Sequence, residues 1–386
     1  MPDFNYLSPT DIYLDAACQS LRPQPVIDAL NDYYTKFNSC GDRGKYQWSQ
    51  KTDQKVTATR DKLIKYLHLK PRDYFVSFTL NTTYGINLLL SQLRTTKIKK
   101  VITSDIEHNS PFLATITFAE RHQIKREVVT RNPDGSLPLE NLNLDHALVV
   151  LNCASNIDGR QLLNIKEVTK AVHQQNGFII IDAAQGAAHT PEILYKTSPD
   201  AICLSAHKMY APSLGAMVIH KDFARHIDTT FIGGGMVDDV GHDTYELSSD
   251  RPDHLHTKFE AGLQAWGEII AFGAALDWLT ALPKSAHQNL IQNSTKLYDF
   301  LANHPKVHLI NQNPNPTMSF YIEGLDSHLI GQALADEHIS VRTGYFCAHY
   351  YLAHVMNYPP LVRFSLGYHT RPEDIDRVIQ ILSRIK

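Results

Sequence analysis

The stretch "AICLSAHKMYAPSLGAMVIH" (Ala201–His220) decides the fold of this chain. It holds two short apolar runs, AICLS and GAMVIH, separated by a loop that carries Lys208 and a Pro/Gly turn. Upstream, "GFIIIDAAQ" (Gly177–Gln185) contains a third run that ends in Asp182. Continuous rather than alternating apolar runs are typical of strands buried on both faces. The three runs therefore predict strands of a sheet that is covered on both sides.

Further apolar runs alternate with helical segments on either side of this stretch. YFVSFT precedes YGINLLLSQL, VITS precedes SPFLATITFAERH, and ALVVLNC precedes NIKEVTKAVHQQ. This alternation predicts a parallel or mostly parallel sheet, the α/β class. After about Gly267 two helical stretches lead into TMSFYIE, SHLIGQALADEH, ISVRT, VRFSLGY and PEDIDRVIQILSRI, an α+β pattern. We predict a large domain over 20–265 and a smaller α+β domain formed by 1–19 and 266–386.

Composition excludes several classes of protein. The chain has 386 residues, 43% hydrophobic and 20% charged, with a net charge of −3, which fits a soluble globular protein without a nucleic-acid footprint. No apolar run approaches the roughly 20 residues of a membrane helix, and no signal peptide is evident. Five scattered cysteines without C-x-x-C spacing argue against a disulfide framework and a metal site. We expect a reducing, cytoplasmic setting.

Asp182 and Lys208 suggest a cofactor. An acid at the carboxyl end of a buried strand lies where open α/β sheets bind ligands, and a protonated pyridine nitrogen would be a suitable partner. A lysine in a partly dry loop can bond to an aldehyde. Pyridoxal phosphate (PLP) carries both groups. Taken alone, each residue has a commoner alternative: a helix cap or ion pair for Asp182, and a surface loop for Lys208.

The phosphate of PLP would need anion donors. In "TLNTTYGIN", Thr82 and Thr83 follow an apolar strand and precede a helix, so backbone N–H groups and hydroxyls meet there. Ser205 and His207 flank Lys208 and are further donors. An ordinary threonine cap is the alternative for the first pair.

Other polar residues follow predicted strands. His108, in "SDIEHNS", could lie flat on a cofactor ring, or be a loop histidine with local partners. Asn156 and Gln185 are neutral donors that suit the phenolic oxygen of the ring. In the predicted small domain, Arg363 suits an α-carboxylate. Cys347 lies near Arg342, which would favour the thiolate nucleophile, although a structural cysteine is the default.

The order of these signals resembles the fold-type I PLP enzymes of the aminotransferase class V group. The chain is most similar to SUF-type cysteine desulfurases and selenocysteine lyases, over nearly its whole length. The motifs "IIIDAAQ", "SAHKMYAPSLGAMVI", "KFEAG" and "RTGYFCA" carry the resemblance. It implies a mostly parallel seven-stranded sheet covered by helices, a smaller α+β domain, a homodimer, and a part in sulfur metabolism and iron–sulfur cluster assembly.

The resemblance also implies roles for single residues around PLP. Lys208 would bond to the cofactor and move protons, Asp182 would pair with the pyridine nitrogen, and His108 would stack on the ring. Asn156 and Gln185 would surround the phenolic oxygen. The implied phosphate ligands are Thr82, Thr83, Ser205 and His207.

For the substrate, the resemblance implies that Arg363 holds the carboxylate, with Arg342 and Asn156 beside it. Cys347 would attack the sulfur of L-cysteine, giving alanine and an enzyme persulfide that passes to an acceptor protein. Two alternatives stay open. One is another class V enzyme (a selenocysteine lyase, C–S lyase, epimerase or transaminase) in which Cys347 is structural. The other is a binding protein or scaffold without catalysis.

Some positions depart from the family pattern. Leu263 stands where a threonine usually follows "EAG", so a phosphate hydroxyl from the partner subunit is expected to be missing. Cys153, in "CASN", stands where a histidine is usual, and "HRG" reads "DRG" around Arg43. These departures put the substrate in doubt more than the cofactor.

Overall fold

The computed structural model of the protein describes residues 2–41, 44–140 and 142–384. The chain divides into two compact units. The larger one comprises Pro25–Cys153 and Gln161–Thr280, and the smaller one Met1–Gln24, Ala154–Arg160 and Ala281–Lys386. The domain limits drawn from the sequence at 19/20 and 265/266 remain predictions.

The strands within the described residues are numbered along the chain. They are β1 (Ile12–Tyr13), β2 (Tyr74–Thr79), β3 (Lys100–Ser104), β4 (Lys125–Val129), β5 (Ala147–Asn152), β6 (Phe178–Asp182), β7 (Ala201–Ser205), β8 (Gly215–His220), β9 (Val237–Val240), β10 (Tyr245–Leu247), β11 (Val307–Leu309), β12 (Thr317–Ile322), β13 (Ile339–Ser340), β14 (Arg342–Gly344) and β15 (Leu361–Ser365).

The α-helices within the described residues are numbered in the same way. They are α1 (Gln24–Lys36), α2 (Gln47–Tyr66), α3 (Thr82–Gln92), α4 (Asn109–His122), α5 (Ile165–Gln174), α6 (Gly186–His189), α7 (Lys221–Ala224), α8 (Trp266–Ala281), α9 (Lys284–Asn303), α10 (Ser327–Asp336) and α11 (Pro372–Leu382). Among them, none combines the length and the apolar character that a bilayer-spanning segment requires.

A seven-stranded sheet forms the centre of the larger unit. Its strand order is β2-β8-β7-β6-β5-β3-β4, and β8 runs antiparallel to both of its neighbours while the other pairs are parallel. Strand β5 is buried along its whole length, as expected for a strand covered on both faces. The core packs Val150 and Ile180 of the sheet with Leu89 and Phe118 of α3 and α4. The predicted α/β class and mostly parallel seven-stranded sheet are confirmed.

The smaller unit is built around an antiparallel four-stranded sheet. Its strand order is β11-β12-β15-β14, and β1 pairs separately with β13. Asp326 caps the N-terminus of helix α10, and its carboxylate accepts hydrogen bonds from the N–H groups of His328 and Leu329. Such a cap contributes about 1 kcal/mol to the stability of a helix. An α+β unit of this kind is what the sequence predicts.

One predicted strand is wrong. The run ISVRT is not a single strand, because Ile339–Ser340 pairs with β1 whereas Arg342–Gly344 pairs with β15. Val341 separates the two pieces, so the chain leaves one sheet and enters another within a single residue. The consequence for the site is that Arg342 lies opposite Arg363 in register.

Candidate active site

A buried acid lies at the carboxyl edge of the seven-stranded sheet. Asp182 ends β6, pairs in register with Asn152 and Cys203, and is 3% exposed. Its Oδ1 accepts a hydrogen bond from the Ala184 N–H at 2.9 Å, and no side chain within the described residues forms an ion pair with it. Burial raises the pKa of Asp182, while the Ala184 N–H and the charge of Lys208 oppose the rise. A cation bound here would complete the site.

Lys208 lies in the loop that follows β7 at the same edge. The chain makes a short 3₁₀ turn over Ala206–Lys208, in which the Met209 N–H donates to the Ala206 carbonyl at 2.8 Å. The Ala206 N–H donates to the Leu214 carbonyl at 2.8 Å, which closes the loop. Lys208 is half-buried, so part of the water around its amine is excluded. A partly desolvated lysine is the type that bonds to an aldehyde.

Gly215 allows the ends of β2, β7 and β8 to lie close together at the start of α3, where several hydrogen-bond donors meet. A Cβ on Gly215 would lie 2.5 Å from both the Asn81 Cα and the Thr79 Oγ1, so no larger residue fits without a shift of backbone. Across this gap the Ser205 Oγ accepts from the Thr82 N–H at 3.1 Å, and the two hydroxyl oxygens are 2.7 Å apart. Backbone N–H groups and hydroxyls at a helix start can bind an anion such as phosphate.

The cap of α3 is Asn81. Its Oδ1 accepts from the Tyr84 N–H at 2.9 Å, whereas Thr82 and Thr83 are the first two residues of the helix. The alternative in which a threonine caps this helix is therefore wrong. Thr83 instead shares a hydrogen bond of 2.6 Å with the Ser110 hydroxyl. Because a hydroxyl both donates and accepts, Thr82 can keep its bond to Ser205 and Thr83 its bond to Ser110 while each still donates to an anion.

His108 occupies the cap position of α4. Its Nδ1 accepts from the Ser110 N–H at 3.0 Å and lies 2.8 Å from the Ser110 Oγ. The helix therefore fixes the orientation of the imidazole ring at the same edge of the sheet as Asp182. Stacking of this ring on a cofactor remains a prediction.

A buried ion pair next to His108 was not predicted from the sequence. Glu107 and Arg131 are 2.8 Å apart, and their side chains are at most 2% exposed. Glu107 also accepts from the Ser104 hydroxyl and from the Asn152 N–H, and Arg131 donates to the Asn152 carbonyl at 2.8 Å. Burial raises the pKa of Glu107 to about 7 against the opposing charge of Arg131. The pair ties together the ends of β3 and β5 and so holds the residue that precedes His108.

Three more residues follow strands β5, β6 and β7 at the same edge of the sheet. Gln185 precedes α6, and His207 is in the 3₁₀ turn next to Lys208; both are half-buried. Cys153 is fully buried, and its N–H donates to the Asp182 carbonyl at 2.9 Å. Burial and then the charge of Asp182 raise the pKa of Cys153 to about 12, so this thiol stays neutral at ordinary pH.

In the smaller unit, two arginines share one carboxylate. Arg363 and Arg342 are register partners on β15 and β14, and both contact Asp15, at 3.2 and 3.4 Å. Arg363 is 3% exposed, and its Nη1 also donates to the Asn156 carbonyl at 2.9 Å. Within the described residues no second acid forms an ion pair with either arginine. The group therefore carries a surplus positive charge, which suits an anionic ligand such as a carboxylate.

The loop that carries Cys347 packs against this arginine group. The Asn156 Nδ2 donates to the Phe346 carbonyl at 2.6 Å, and the Phe346 ring lies 4.9 Å from the Arg363 guanidinium. The Asn156 Oδ1 and the Arg363 Nε are buried without a hydrogen-bond partner. Cys347 itself is exposed, and its backbone is left-handed with a φ of 57°. The exposed Cys347 thus directly follows Phe346, which packs against Arg363, the residue predicted to bind the substrate carboxylate.

The donor set of the larger unit fits PLP. Asp182 offers a buried counter-charge for a ring nitrogen, and Lys208 offers an amine. The Ser205 and Thr82 hydroxyls at the start of α3 offer a phosphate cradle, which Gly215 keeps open. The described residues contain no group of three or more metal-ligating side chains.

The residues that depart from the family pattern differ in their exposure to solvent. Leu263 is 76% exposed and follows Gly262, whose φ is 80°. Cys153 is deeply buried beside Asp182, as described above. Arg43 lies outside the described residues.

Comparison with known families and sequences gives a consistent result. Residues 12–378 match the model of the aminotransferase class-V family. A probable cysteine desulfurase of Chlamydia muridarum is 29% identical over 97% of this chain and 94% of its own length. A cysteine desulfurase of Escherichia coli O7:K1 is 28% identical over 97% of this chain and 93% of its own.

Solved structures resemble the fold. An apo cysteine desulfurase of Thermococcus onnurineus superposes with a TM-score of 0.86 at 24% identity, covering 97% of this chain and 94% of its own. A cysteine desulfurase of Escherichia coli gives 0.86 at 23% identity, covering 99% and 96%. At these identities the likeness establishes the fold.

Proposed function

Because the chain belongs to the aminotransferase class-V family, we propose that it is a PLP-dependent cysteine desulfurase. It removes the sulfur of L-cysteine as a persulfide on Cys347 and releases L-alanine. The relatives that match nearly the whole chain support this activity, since they are named as a cysteine desulfurase and a probable cysteine desulfurase.

The proposed cofactor residues, apart from Asn156, belong to the larger unit. Lys208 bonds to the aldehyde of PLP, and Asp182 supplies the negative charge opposite the ring nitrogen. Thr82, Thr83, Ser205 and His207 donate to the phosphate. His108 lies against the ring, and Asn156 (of the smaller unit) and Gln185 serve the phenolic oxygen. When bound, PLP acts as an electron sink for charge that develops at the α-carbon of the substrate.

The chemistry that the chain supplies is proton transfer and charge stabilisation. The Lys208 amine removes the proton from the α-carbon and returns a proton to the product, as a general base and acid. Asp182 must stay ionised to stabilise a cationic ring nitrogen, and that cation offsets the burial that raises the pKa of the carboxyl.

The proposed substrate residues belong to the smaller unit. Arg363 binds the carboxylate of L-cysteine through its planar fork, and Arg342 and Asn156 assist. The Cys347 thiolate attacks the substrate sulfur, so a sulfur–sulfur bond forms while the carbon–sulfur bond breaks. The electron pair stays on the substrate carbon, which takes up a proton to give alanine.

One observation carries the choice of reaction. Cys347 is exposed and follows Phe346, which packs on the buried Arg363 guanidinium. A structural cysteine would be expected inside the core, where Cys153 and Cys203 are found. The exposed thiol beside a carboxylate ligand therefore favours desulfuration over epimerisation or transamination.

The test is an assay of alanine and sulfide from L-cysteine with the PLP-loaded protein and a reductant. Cys347→Ser is expected to abolish sulfide release, because serine cannot accept sulfur. Cys40→Ser is the matched control, since Cys40 is an exposed thiol of the larger unit, and it is expected to react like the wild type.

Three results would overturn the proposal. Alanine without an equivalent amount of sulfur would exclude desulfuration. Unchanged sulfide release by Cys347→Ser would make Cys347 structural and favour another class V reaction, such as that of a C–S lyase. A protein that takes up no PLP would instead support the binding-protein alternative.

We propose further that the protein is a cytoplasmic homodimer and hands its sulfur to an acceptor protein for iron–sulfur cluster assembly. The five free cysteines fit a reducing compartment. Light scattering of the purified protein tests the dimer.

A further inference from the structure

A second thiol lies in the arginine group of the smaller unit. Cys18 is in a turn after β1, in which its N–H donates to the Asp15 carbonyl at 3.0 Å. The Arg342 Nη2 contacts the Cys18 Sγ, while the Arg342 Nε faces the Asp15 carboxylate at 3.4 Å. Cys18 is half-buried, and Arg342 contacts its sulfur.

Cys347 lies five residues after Arg342 in the chain. The chain turns back after β14, with left-handed backbone at Gly344, Phe346 and Cys347. Burial by itself would lower the pKa of Arg342, but the charges of Asp15, Cys18 and Cys347 raise it above its ordinary value. The Arg342 guanidinium therefore contacts the Cys18 sulfur and lies within electrostatic range of Cys347, and we call Asp15, Cys18, Arg342 and Cys347 the two-thiol cluster.

Two buried polar atoms mark this region as a binding site. The Arg363 Nε and the Asn156 Oδ1 have no hydrogen-bond partner in the described part of the chain, although both residues are more than nine-tenths buried. Arg363 shares Asp15 with Arg342. Leaving such groups without partners destabilises the protein, and a polar ligand that bonds to them would offset this cost.

We propose that Cys18 is a second sulfur-carrying residue, which takes the outer sulfur of the Cys347 persulfide. This inference rests on the proposed desulfurase activity. The Cys18 thiolate attacks the outer sulfur, a new sulfur–sulfur bond forms on Cys18, and Cys347 leaves as a thiolate. No oxidant or reductant is consumed, because one persulfide and one thiolate give one persulfide and one thiolate.

The position of Arg342 suits this exchange. Negative charge passes from the sulfur of Cys18 to that of Cys347, and a guanidinium that interacts with both stabilises it before and after the transfer. The transfer would empty Cys347 for a second turnover. A chain without an acceptor would then hold two sulfurs, one on each thiol.

The experiment counts and locates the sulfurs. The PLP-loaded protein is mixed with L-cysteine without reductant, and the burst of alanine is measured. Persulfides are then alkylated and mapped after trypsin digestion, which separates Cys18 (peptide 1–36), Cys40 (37–43) and Cys347 (343–363). The variants are Cys18→Ser, Cys347→Ser and the control Cys40→Ser.

The wild type and Cys40→Ser are expected to release about two alanines per chain in the burst, and Cys18→Ser about one. Persulfide should appear on Cys347 first and then on Cys18, with none on Cys18 in Cys347→Ser. A wild-type burst of one with sulfur on Cys347 alone would overturn the inference and leave the desulfurase intact. Persulfide on Cys18 in Cys347→Ser, a Cys18–Cys347 disulfide with released sulfide, or equal labelling of Cys40 would also overturn it. No alanine from the wild type would refute the proposed function itself.

Discussion

Two acids, Asp182 in the larger unit and Asp15 in the smaller one, show opposite charge balance. Asp182 is buried at the end of β6 and forms no ion pair within the described residues, and its nearby positive charge is that of Lys208. Asp15 contacts both Arg342 and Arg363. The first region therefore has a buried acid without an ion pair among the described residues, and the second has two guanidiniums on one carboxylate.

This difference indicates what each region binds. A buried carboxylate with no ion pair is stable only when protonated or when a cation joins it. Two guanidiniums on one carboxylate are balanced when an anion joins them. A ring with a cationic nitrogen fits the first region, and an α-carboxylate fits the second.

The largest expected effect comes from Lys208. Lys208→Ala removes the amine that bonds to PLP and moves the proton, so the rate of alanine formation should fall about a thousandfold or more. Borohydride treatment followed by mass spectrometry should show cofactor attached to the wild type and none attached to the variant.

The control for this change is Lys258→Ala. Lys258 is also a half-buried lysine of the larger unit, and it donates to the Ala224 carbonyl rather than facing the sheet edge. Its removal should leave borohydride labelling intact. Equal loss of labelling in the two variants would show that Lys208 is not the residue that bonds to PLP.

A smaller effect is expected from Asp15→Asn, which leaves two guanidiniums without their shared carboxylate. Because Arg363 is almost fully buried, the free energy of unfolding should fall by about 2–4 kcal/mol in urea denaturation. The control is Asp376→Asn, which breaks an exposed pair with Lys296 and should cost less than about 1 kcal/mol. Similar losses would show that Asp15 does not hold a buried charge balance.

The smallest effect is a pH dependence of the apoprotein. Burial raises the pKa of Asp182, so between the ordinary carboxyl value and the raised one the folded state binds more protons than the unfolded state. Stability then falls as pH rises through this window, by about 1.4 kcal/mol for each unit of elevation. Asp182→Asn should flatten the curve in urea titrations without PLP, whereas parallel curves would contradict the assignment.

The sequence predicted the centre of the sheet better than its edge. Strands such as Ala147–Asn152 are buried on both faces, so their composition alone identifies them. Lys125–Val129 is a half-exposed edge strand with charged residues, and its pattern gave no signal. Arg131 follows that strand, which explains why its pair with Glu107 was missed. The pair forms only when β3 and β4 lie side by side.

The smaller unit shows a second limit of sequence reasoning. Arg342, Cys347 and Arg363 were found as residue types with suitable chemistry. The sharing of Asp15 and the contact with Cys18 depend on β1 pairing with β13 and on the bridge between Asp15 and Ser365, which bring together residues more than 300 positions apart in the chain. No local pattern reports such a contact.

The most direct test of the charge comparison is the dissociation constant of PLP for the wild type, Asp182→Asn and Arg363→Ala, measured by absorbance titration. The account predicts that Asp182→Asn weakens cofactor binding about tenfold or more, because the ring nitrogen loses its counter-charge. Arg363→Ala should bind PLP as the wild type does, since its anion is the substrate. Equal weakening in both variants, or unchanged binding by Asp182→Asn, would contradict the assignment of a cation to one region and an anion to the other.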